Sequence, residues 1–148
     1  MIRTVIAATV LLGGITVLLA QSDPVAQRKE LMKSNAKNAK NVTQMVKGDA
    51  PFDAAQAKAA FTTWHENAKR ISTLFQSPPP PGADTRALPK IWENKADFEA
   101  KAAALGKAAE GKASTLDELK ASFPQVSQAC ASCHDNYRRP APPAEGKK

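Results

Sequence analysis

The sequence predicts an all-α protein folded as an antiparallel four-helix bundle. Four segments place apolar residues at alternating spacings of three and four, as on the buried face of a bundle helix. No segment alternates apolar and polar residues with the period of two that a half-buried strand requires. A short link joins the first two segments and a long proline-rich link joins the second to the third, which fits a bundle.

The first helix is predicted to begin after Asp23, an N-cap residue followed by Pro24 at the first helical position. Gly48 is predicted to end it, with a turn at Pro51. Its inward face comprises Val25, Arg28, Met32, Asn35, Ala39, Val42 and Val46.

The second helix is predicted to begin at Asp53 and to end before four consecutive prolines at 78–81, which cannot continue a helix. Its inward face comprises Phe61, Trp64, Ala68, Ile71 and Phe75. The stretch from Pro78 to about Pro89 is therefore predicted to be a long connection.

Asn94 is predicted to cap the third helix, and Thr115 with Glu118 forms a capping box for the fourth. The inward face of the third helix comprises Phe98, Ala102, Leu105 and Ala109, and that of the fourth comprises Leu116, Leu119, Phe123, Val126, Cys130, Cys133 and Tyr137. Pro124 interrupts the fourth helix, so a kink or a restart is expected there.

Residues 1–20 have the layout of a secretory signal peptide. Arg3 supplies a positive charge, positions 5–19 are mostly apolar, and Ala20 offers a small residue at a cleavage point. Because Leu18 is larger than the residue usual at its place, an uncleaved N-terminal anchor is the alternative. Either form predicts export, and hence a periplasmic location.

The predicted organisation is a signal peptide over 1–20, a four-helix bundle over 21–139 and a disordered tail over 140–148. The formal net charge is +7, but the lysines and arginines are scattered and not interleaved with aromatic residues. This pattern argues against nucleic-acid binding and favours acidic protein partners.

The two cysteines of the chain occur in the motif Cys130-x-x-Cys133-His134. A disulfide across two residues would stabilise little, since cross-link stabilisation grows with loop length. A thioredoxin-like dithiol belongs in a βαβ setting, and a zinc site would need more ligands than His65, the other histidine, supplies. The spacing instead predicts one covalent haem c, with both thiols bonded to the haem and His134 as an axial iron ligand.

Only 14 residues follow His134, too few to supply a ligand to the opposite face of the haem. In an antiparallel bundle the first helix can lie across from the fourth, and its Met32 offers a thioether suited to iron. The alternative is an ordinary core methionine. Arg28 is predicted to bind a haem propionate or, alternatively, to be solvated. Arg138, four residues after His134, is predicted to lie on the proximal side or to be an exposed solubilising charge.

The chain resembles the class II c-type cytochromes, the cytochrome c′ family. The resemblance rests on Cys-Ala-Ser-Cys-His-Asp-Asn-Tyr-Arg at 130–138, Val-Lys-Gly-Asp-Ala-Pro-Phe-Asp at 46–53 and Pro-Lys-Ile-Trp at 89–92. It implies a four-helix bundle with the haem near one end, an arginine at the place of Arg28 beside a propionate, and a basic residue at the place of Arg138 near the proximal histidine. Many members are homodimers.

Two branches of that family imply two functions. In one the iron is five-coordinate and binds NO or CO in an apolar distal pocket. In the low-spin branch a methionine of the first helix is the sixth ligand, and the segment Arg-Lys-Glu-Leu-Met-Lys-Ser-Asn at 28–35 is more similar to this branch. Some five-coordinate members also carry a methionine at the place of Met32, so residue identity alone does not decide coordination.

We therefore expect an electron-transfer cytochrome with His134 and Met32 as axial ligands, and a gas-binding protein as the alternative. We do not expect an enzyme, because the distal side of a peroxidase needs a polar acid–base pair. The first helix offers only Asn35 and Arg28 there.

Overall fold

The computed structural model describes residues 23–141 and contains, within that range, five helices and no strand. The helices are α1 (Pro24–Lys47), α2 (Ala54–Leu74), α3 (Lys90–Glu93), α4 (Lys95–Ala108) and α5 (Leu116–Tyr137). The predicted all-α fold is confirmed. The predicted signal peptide and residues 142–148 of the predicted tail lie outside the described residues. None of the five helices is long and apolar enough to cross a membrane.

The four long helices form a ring in which α1 packs on α2, α2 on α4 and α4 on α5. The contact that closes the ring, between α1 and α5, is the least extensive of the four. The predicted inward face of α2 is buried along its whole length, with Trp64 fully inaccessible. The predicted face of α4 is buried as well, and in the first half of α5 Leu119 and Val126 are buried while Leu116 and Phe123 are half-buried.

The predicted helix ends are largely correct. Asp23, Asp53 and Thr115 each accept a hydrogen bond from a backbone N–H of the first turn, at 2.9, 2.9 and 3.2 Å. Gly48 ends α1 with a φ of 80°, a left-handed conformation that glycine adopts without strain. Asn94 occupies the expected position before α4, but its side chain makes no capping hydrogen bond.

Two details of the helices differ from the sequence prediction. The helical turn α3 was not predicted, and α5 continues without a break through Pro124, so a restart there is wrong. The proline removes the donor for the carbonyl of Lys120. Both residues are exposed, and solvent can therefore satisfy that carbonyl.

The buried face of α1 is wider than the predicted seam. Leu31 and Met45, which lie beside the seam, are each only 2% exposed, whereas Met32 on the seam is half-buried. An α-helix has 3.6 residues per turn, so a row of residues spaced alternately by three and four positions shifts gradually around the helix. Where a residue of the seam has turned away from the core, the residue next to it is buried instead.

The connection between α2 and α4 folds back onto the end of α5. We call residues 84–88 the strap. Ala87 pairs with Arg138 in an isolated antiparallel bridge, and the amide of Leu88 donates to the carbonyl of Tyr137 at 3.0 Å. The amide of Arg139 donates to the carbonyl of Arg86 at 2.8 Å. These bonds fix the strap beside α5.

Substitution of the N-cap residue of α5 tests how much its capping hydrogen bond contributes to stability. Thr115→Ala removes the acceptor for the amide of Glu118, so the free energy of unfolding of the holoprotein should fall by about 1 kcal/mol. Denaturant unfolding measures this change. The matched control is Thr63→Ala inside α2, where the hydroxyl bonds only to the carbonyl of Ala59 and the loss should be near zero. Equal losses in both variants would contradict the capping role.

Candidate functional site

A cavity of about 440 Å³ lies between α1 and α5, and the strap closes one side of it. This size is in the range of small-molecule and cofactor sites. The lining residues are Val25, Arg28, Lys29, Met32, Lys33 and Ala36 from α1, Phe75 at the end of α2, Asp84, Thr85, Arg86 and Ala87 from the strap, Ile91 and Phe98 from α3 and α4, and His134, Tyr137 and Arg138 at the end of α5.

Met32 and His134 both line this cavity, although they are about a hundred residues apart in the sequence. Both side chains are half-buried. This arrangement is consistent with the sequence prediction that the first helix lies across from the helix that carries the haem motif. A thioether and an imidazole facing one cavity are a ligand pair that haem iron accepts.

Cys130 and Cys133 precede His134 on α5, where both are half-buried and pack against the core beside the cavity rather than lining it. Both thiols are free. Burial raises the pKa of each, that of Cys133 to about 11 against an opposing effect of Lys101. A redox dithiol requires a lowered pKa, so this environment argues against the thioredoxin-like alternative.

Burial lowers the pKa of His134, and the positive charges of Arg138 and Arg86 lower it further. A lowered pKa favours the neutral imidazole, the form that keeps a lone pair for a metal. Arg138 itself is exposed at the rim of the cavity, and its amide donates to the carbonyl of His134 at 3.1 Å.

Arg28 is 5% exposed, so the solvated alternative for it is wrong. Its Nε donates to the carbonyl of Leu74 and its Nη2 to the carbonyl of Ser77, each at 2.7 Å. The guanidinium lies 4.7 Å from the ring centroid of Phe75 and 5.7 Å from that of Trp92. Its Nη1 is buried without a partner among the described residues, although the residue lines the cavity.

Tyr137 is buried against the cavity and packs edge-on against Phe98, with 5.3 Å between ring centroids. Its hydroxyl donates to Oδ2 of Asp97 at 2.5 Å. That hydrogen bond, together with burial, raises the pKa of Tyr137 to about 12. The tyrosine thus ties the end of α5 to the start of α4.

Arg86 is a charged residue of the cavity that the sequence did not single out. It reaches the site because the strap pairs with α5, and its Nε and Nη2 donate to the carbonyl of Arg139 at 2.9 and 2.6 Å. His65 lies away from the cavity, with Nδ1 3.1 Å from the carbonyl oxygen of Gly106. Within residues 23–141 no three His, Cys, Asp or Glu side chains group closely enough to hold a metal ion.

The residues of the cavity fit a haem. Its walls are largely apolar, it is lined by one imidazole and one thioether, and the unpartnered Nη1 of Arg28 offers a donor for an anionic group. The two thiols of the attachment motif lie on the same helix as the imidazole. We find no residue in the lining that would conflict with this group.

The sequence of this chain is similar to those of known cytochromes. The family model described as Cytochrome C' matches residues 23–138. A cytochrome c′ of Rhodopseudomonas palustris is 39% identical over 140 residues, covering 93% of this chain and 94% of that protein. Cytochrome c-556 of the same organism is 35% identical over 145 residues, covering 93% and 97%.

Solved structures resemble the bundle to a similar degree. Cytochrome c′ from Rhodopseudomonas palustris superposes with a TM-score of 0.74 at 35% identity, covering 82% of this chain and 100% of the other. An NMR-validated model of oxidised cytochrome c556 from that organism gives a TM-score of 0.73 at 32% identity, with the same coverage.

The hydrogen bond between Tyr137 and Asp97 predicts a dependence of stability on alkaline pH. Because folding raises the pKa of Tyr137 from 10 to about 12, its stabilisation is complete below pH 10 and is lost as the pH rises towards 12. The wild type should therefore have a higher free energy of unfolding than Tyr137→Phe. This difference should be constant below pH 10 and should decrease towards zero above it.

Denaturant unfolding across the alkaline range measures this difference. Tyr137 is the only tyrosine of the chain, so the phenolate absorbance that Tyr137→Phe removes titrates this residue alone. A phenolate pKa near 10, or a difference that does not change with pH, would contradict the assignment.

Proposed function

This chain belongs to the cytochrome c′ family, and from that premise we propose that it is a periplasmic electron carrier with His134 and Met32 as the axial ligands of its haem. Proteins of this family carry one covalently attached haem c, and the family relationship supports a role in electron transfer. The observation that carries the ligand proposal is that Met32 and His134 line the same cavity. The cytochromes c-556 and c-555 among the relatives support the same interpretation.

The attachment motif supplies the remaining contacts. We propose that the thiols of Cys130 and Cys133 form the two thioether bonds to the haem, while His134 coordinates the iron from α5. The bound haem supplies one-electron chemistry at its iron. Because α5 carries all three residues within two helical turns, one rigid element determines where the cofactor lies.

On the other side of the cavity, α1 presents the thioether of Met32. A thioether is a soft ligand that raises the reduction potential of a haem iron relative to a second imidazole. Two side chains on separate packed helices also leave little to rearrange when the charge at the site changes. Phe75, Ile91 and Phe98 make part of the cavity wall apolar.

We propose that Arg28 binds a haem propionate through Nη1, the one nitrogen of its guanidinium that its backbone contacts leave unpartnered. A buried cation is most stable with an anionic partner. Arg138 is proposed to act on the proximal side, since its charge is close enough to lower the pKa of His134.

The second candidate is a gas-binding protein in which Met32 shields an open iron. It is favoured by the half-buried state of Met32 and by relatives named cytochrome c′. In that case NO or CO would bind on the side of α1. We expect no enzymatic turnover in either case, because the cavity wall on α1 offers no pair of polar groups suited to acid–base catalysis.

The rim of the cavity is basic. Lys29, Lys33, Arg86 and Arg138 contribute positive charges to the lining, against the single carboxylate of Asp84. We propose that the redox partner docks here with an acidic surface, as electrostatic steering favours. The homodimer implied by the family and the signal peptide that would direct export stay predictions.

The optical spectrum of the holoprotein tests the ligand proposal. We expect a low-spin ferric spectrum with a methionine-to-iron charge-transfer band, and a ferrous spectrum that CO leaves unchanged. Met32→Leu preserves volume but removes the sulfur, so the band should vanish and CO should bind.

The matched control is Met45→Leu, a buried methionine of the same helix about 20 Å further along, which should leave the band intact. A high-spin wild-type spectrum that shifts with CO would overturn the carrier and support the gas-binding candidate.

Charge reversal at the rim tests the docking proposal. Lys33→Glu should slow the oxidation of the ferrous protein by ferricyanide, a small multiply charged anion, on the order of threefold to tenfold at low salt. Stopped-flow kinetics measure the rate, and the effect should shrink at about 1 M salt, where charges are screened beyond about 3 Å. Lys107→Glu, an exposed lysine on α4 outside the cavity, is the control. Equal slowing by both variants would mean that only net charge matters.

A further inference from the structure

Helix α1 is attached to α2 by polar contacts on both sides of Met32. On the N-terminal side, Arg28 donates to the carbonyls of Leu74 and Ser77 at the end of α2. On the C-terminal side, Asn35 is bonded to Asn67 and Trp64. Met32 lies between the two contacts, four residues after Arg28 and three before Asn35.

The contact at Asn35 is buried and doubly bonded. The amide Nδ2 of Asn67 donates to Oδ1 of Asn35 at 2.8 Å, and the indole Nε1 of Trp64 donates to the backbone carbonyl of Asn35 at 3.3 Å. Asn35 is 8% exposed, Asn67 is 5% exposed and Trp64 is inaccessible. Such a pair is satisfied in only one alignment, because sliding or rotating either helix would leave buried amides without partners.

The contact at Arg28 is equally restrictive. The planar guanidinium presents its donors in a fixed fork, and two carbonyls meet it at 2.7 Å. The rings of Phe75 and Trp92 also pack against the guanidinium. The two contacts are separated by seven residues, about 10 Å along the axis, so together they define both the position and the rotation of this part of α1.

The packing of α1 on α5 differs from these two contacts with α2. The packing between these helices is the least extensive in the ring, and the cavity lies between them. Direct packing of α1 on α5 therefore contributes less than the contacts with α2 to the distance between Met32 and the helix that carries His134.

We propose that Arg28 and the pair Asn35–Asn67 are positioning residues that hold Met32 in place as the sixth iron ligand and so close that position to exogenous ligands. This inference rests on the proposed function. An exogenous ligand must compete with Met32. Its apparent affinity is therefore its intrinsic affinity multiplied by the fraction of molecules in which Met32 is displaced. Loosening α1 raises that fraction.

The primary test is the double variant Asn35→Leu/Asn67→Leu. Replacing both amides by apolar groups of similar size removes the directional bond without leaving a buried polar atom of that pair unpaired, so the variant should fold. Neither residue lines the cavity, so the substitutions leave its lining residues in place. We expect a weaker methionine-to-iron band and a rise of about tenfold or more in the CO affinity of the ferrous holoprotein.

The matched control is Leu105→Ala, which removes a buried side chain of α4, a helix that supplies no hydrogen-bonding group to either contact, and should destabilise the bundle generally. It should lower the melting temperature but keep the band and the low CO affinity. Hydrogen exchange of the amides around Met32 should be faster in the double variant than in this control. That readout reports the mobility of this part of α1.

Arg28→Met provides the second test. Loss of a propionate contact alone would change the reduction potential and leave CO affinity within about twofold, whereas loss of positioning raises CO affinity as well. The proposal is overturned if both variants keep the wild-type band and CO affinity. If the wild type itself lacks the band, the proposed ligation fails and this inference fails with it. If the wild type has the band and only the variants contradict expectation, the positioning role alone is wrong.

Discussion

The burial of Arg28 is the interaction on which the geometry of the site depends. Its guanidinium donates to two carbonyls at and just beyond the end of α2 and packs against the rings of Phe75 and Trp92, so one side chain joins α1, α2 and α3. Removing such a group from water is costly, and burial lowers its pKa accordingly. The cost is offset only while these partners stay in place, which fixes one wall of the cavity.

The opposite wall depends on backbone pairing. The strap would be an unsupported loop if Ala87, Leu88 and Arg139 did not bond with their neighbours across the end of α5. The ion pair between Lys29 and Asp84, at 2.6 Å, also links the strap to α1, but both side chains are exposed and such pairs contribute little. The cavity is therefore framed by buried polar contacts on one side and by a short hydrogen-bonded bridge on the other.

Much of the fold was predictable because its signals are local. Caps at Asp23, Asp53 and Thr115 and the inward face of α2 follow from hydrogen bonds within one turn and from apolar spacing. The sequence prediction was wrong or incomplete where the surroundings of a residue mattered more than its local pattern. Proline at 124 suggested a restart, yet the exposed side of α5 tolerates it. The burial of Leu31 depends on which helices surround α1, which apolar spacing alone does not specify.

The sequence by itself determined the four long helices and the place of the Cys-x-x-Cys-His motif on the last of them, because these follow from residue types at short, fixed spacings. Only the tertiary structure decided that Met32 shares a cavity with His134, that Arg28 bonds to the end of α2 and that Arg86 reaches the same site. These contacts join residues dozens of positions apart. They depend on how whole helices and a connecting loop pack together, and no local pattern encodes that arrangement.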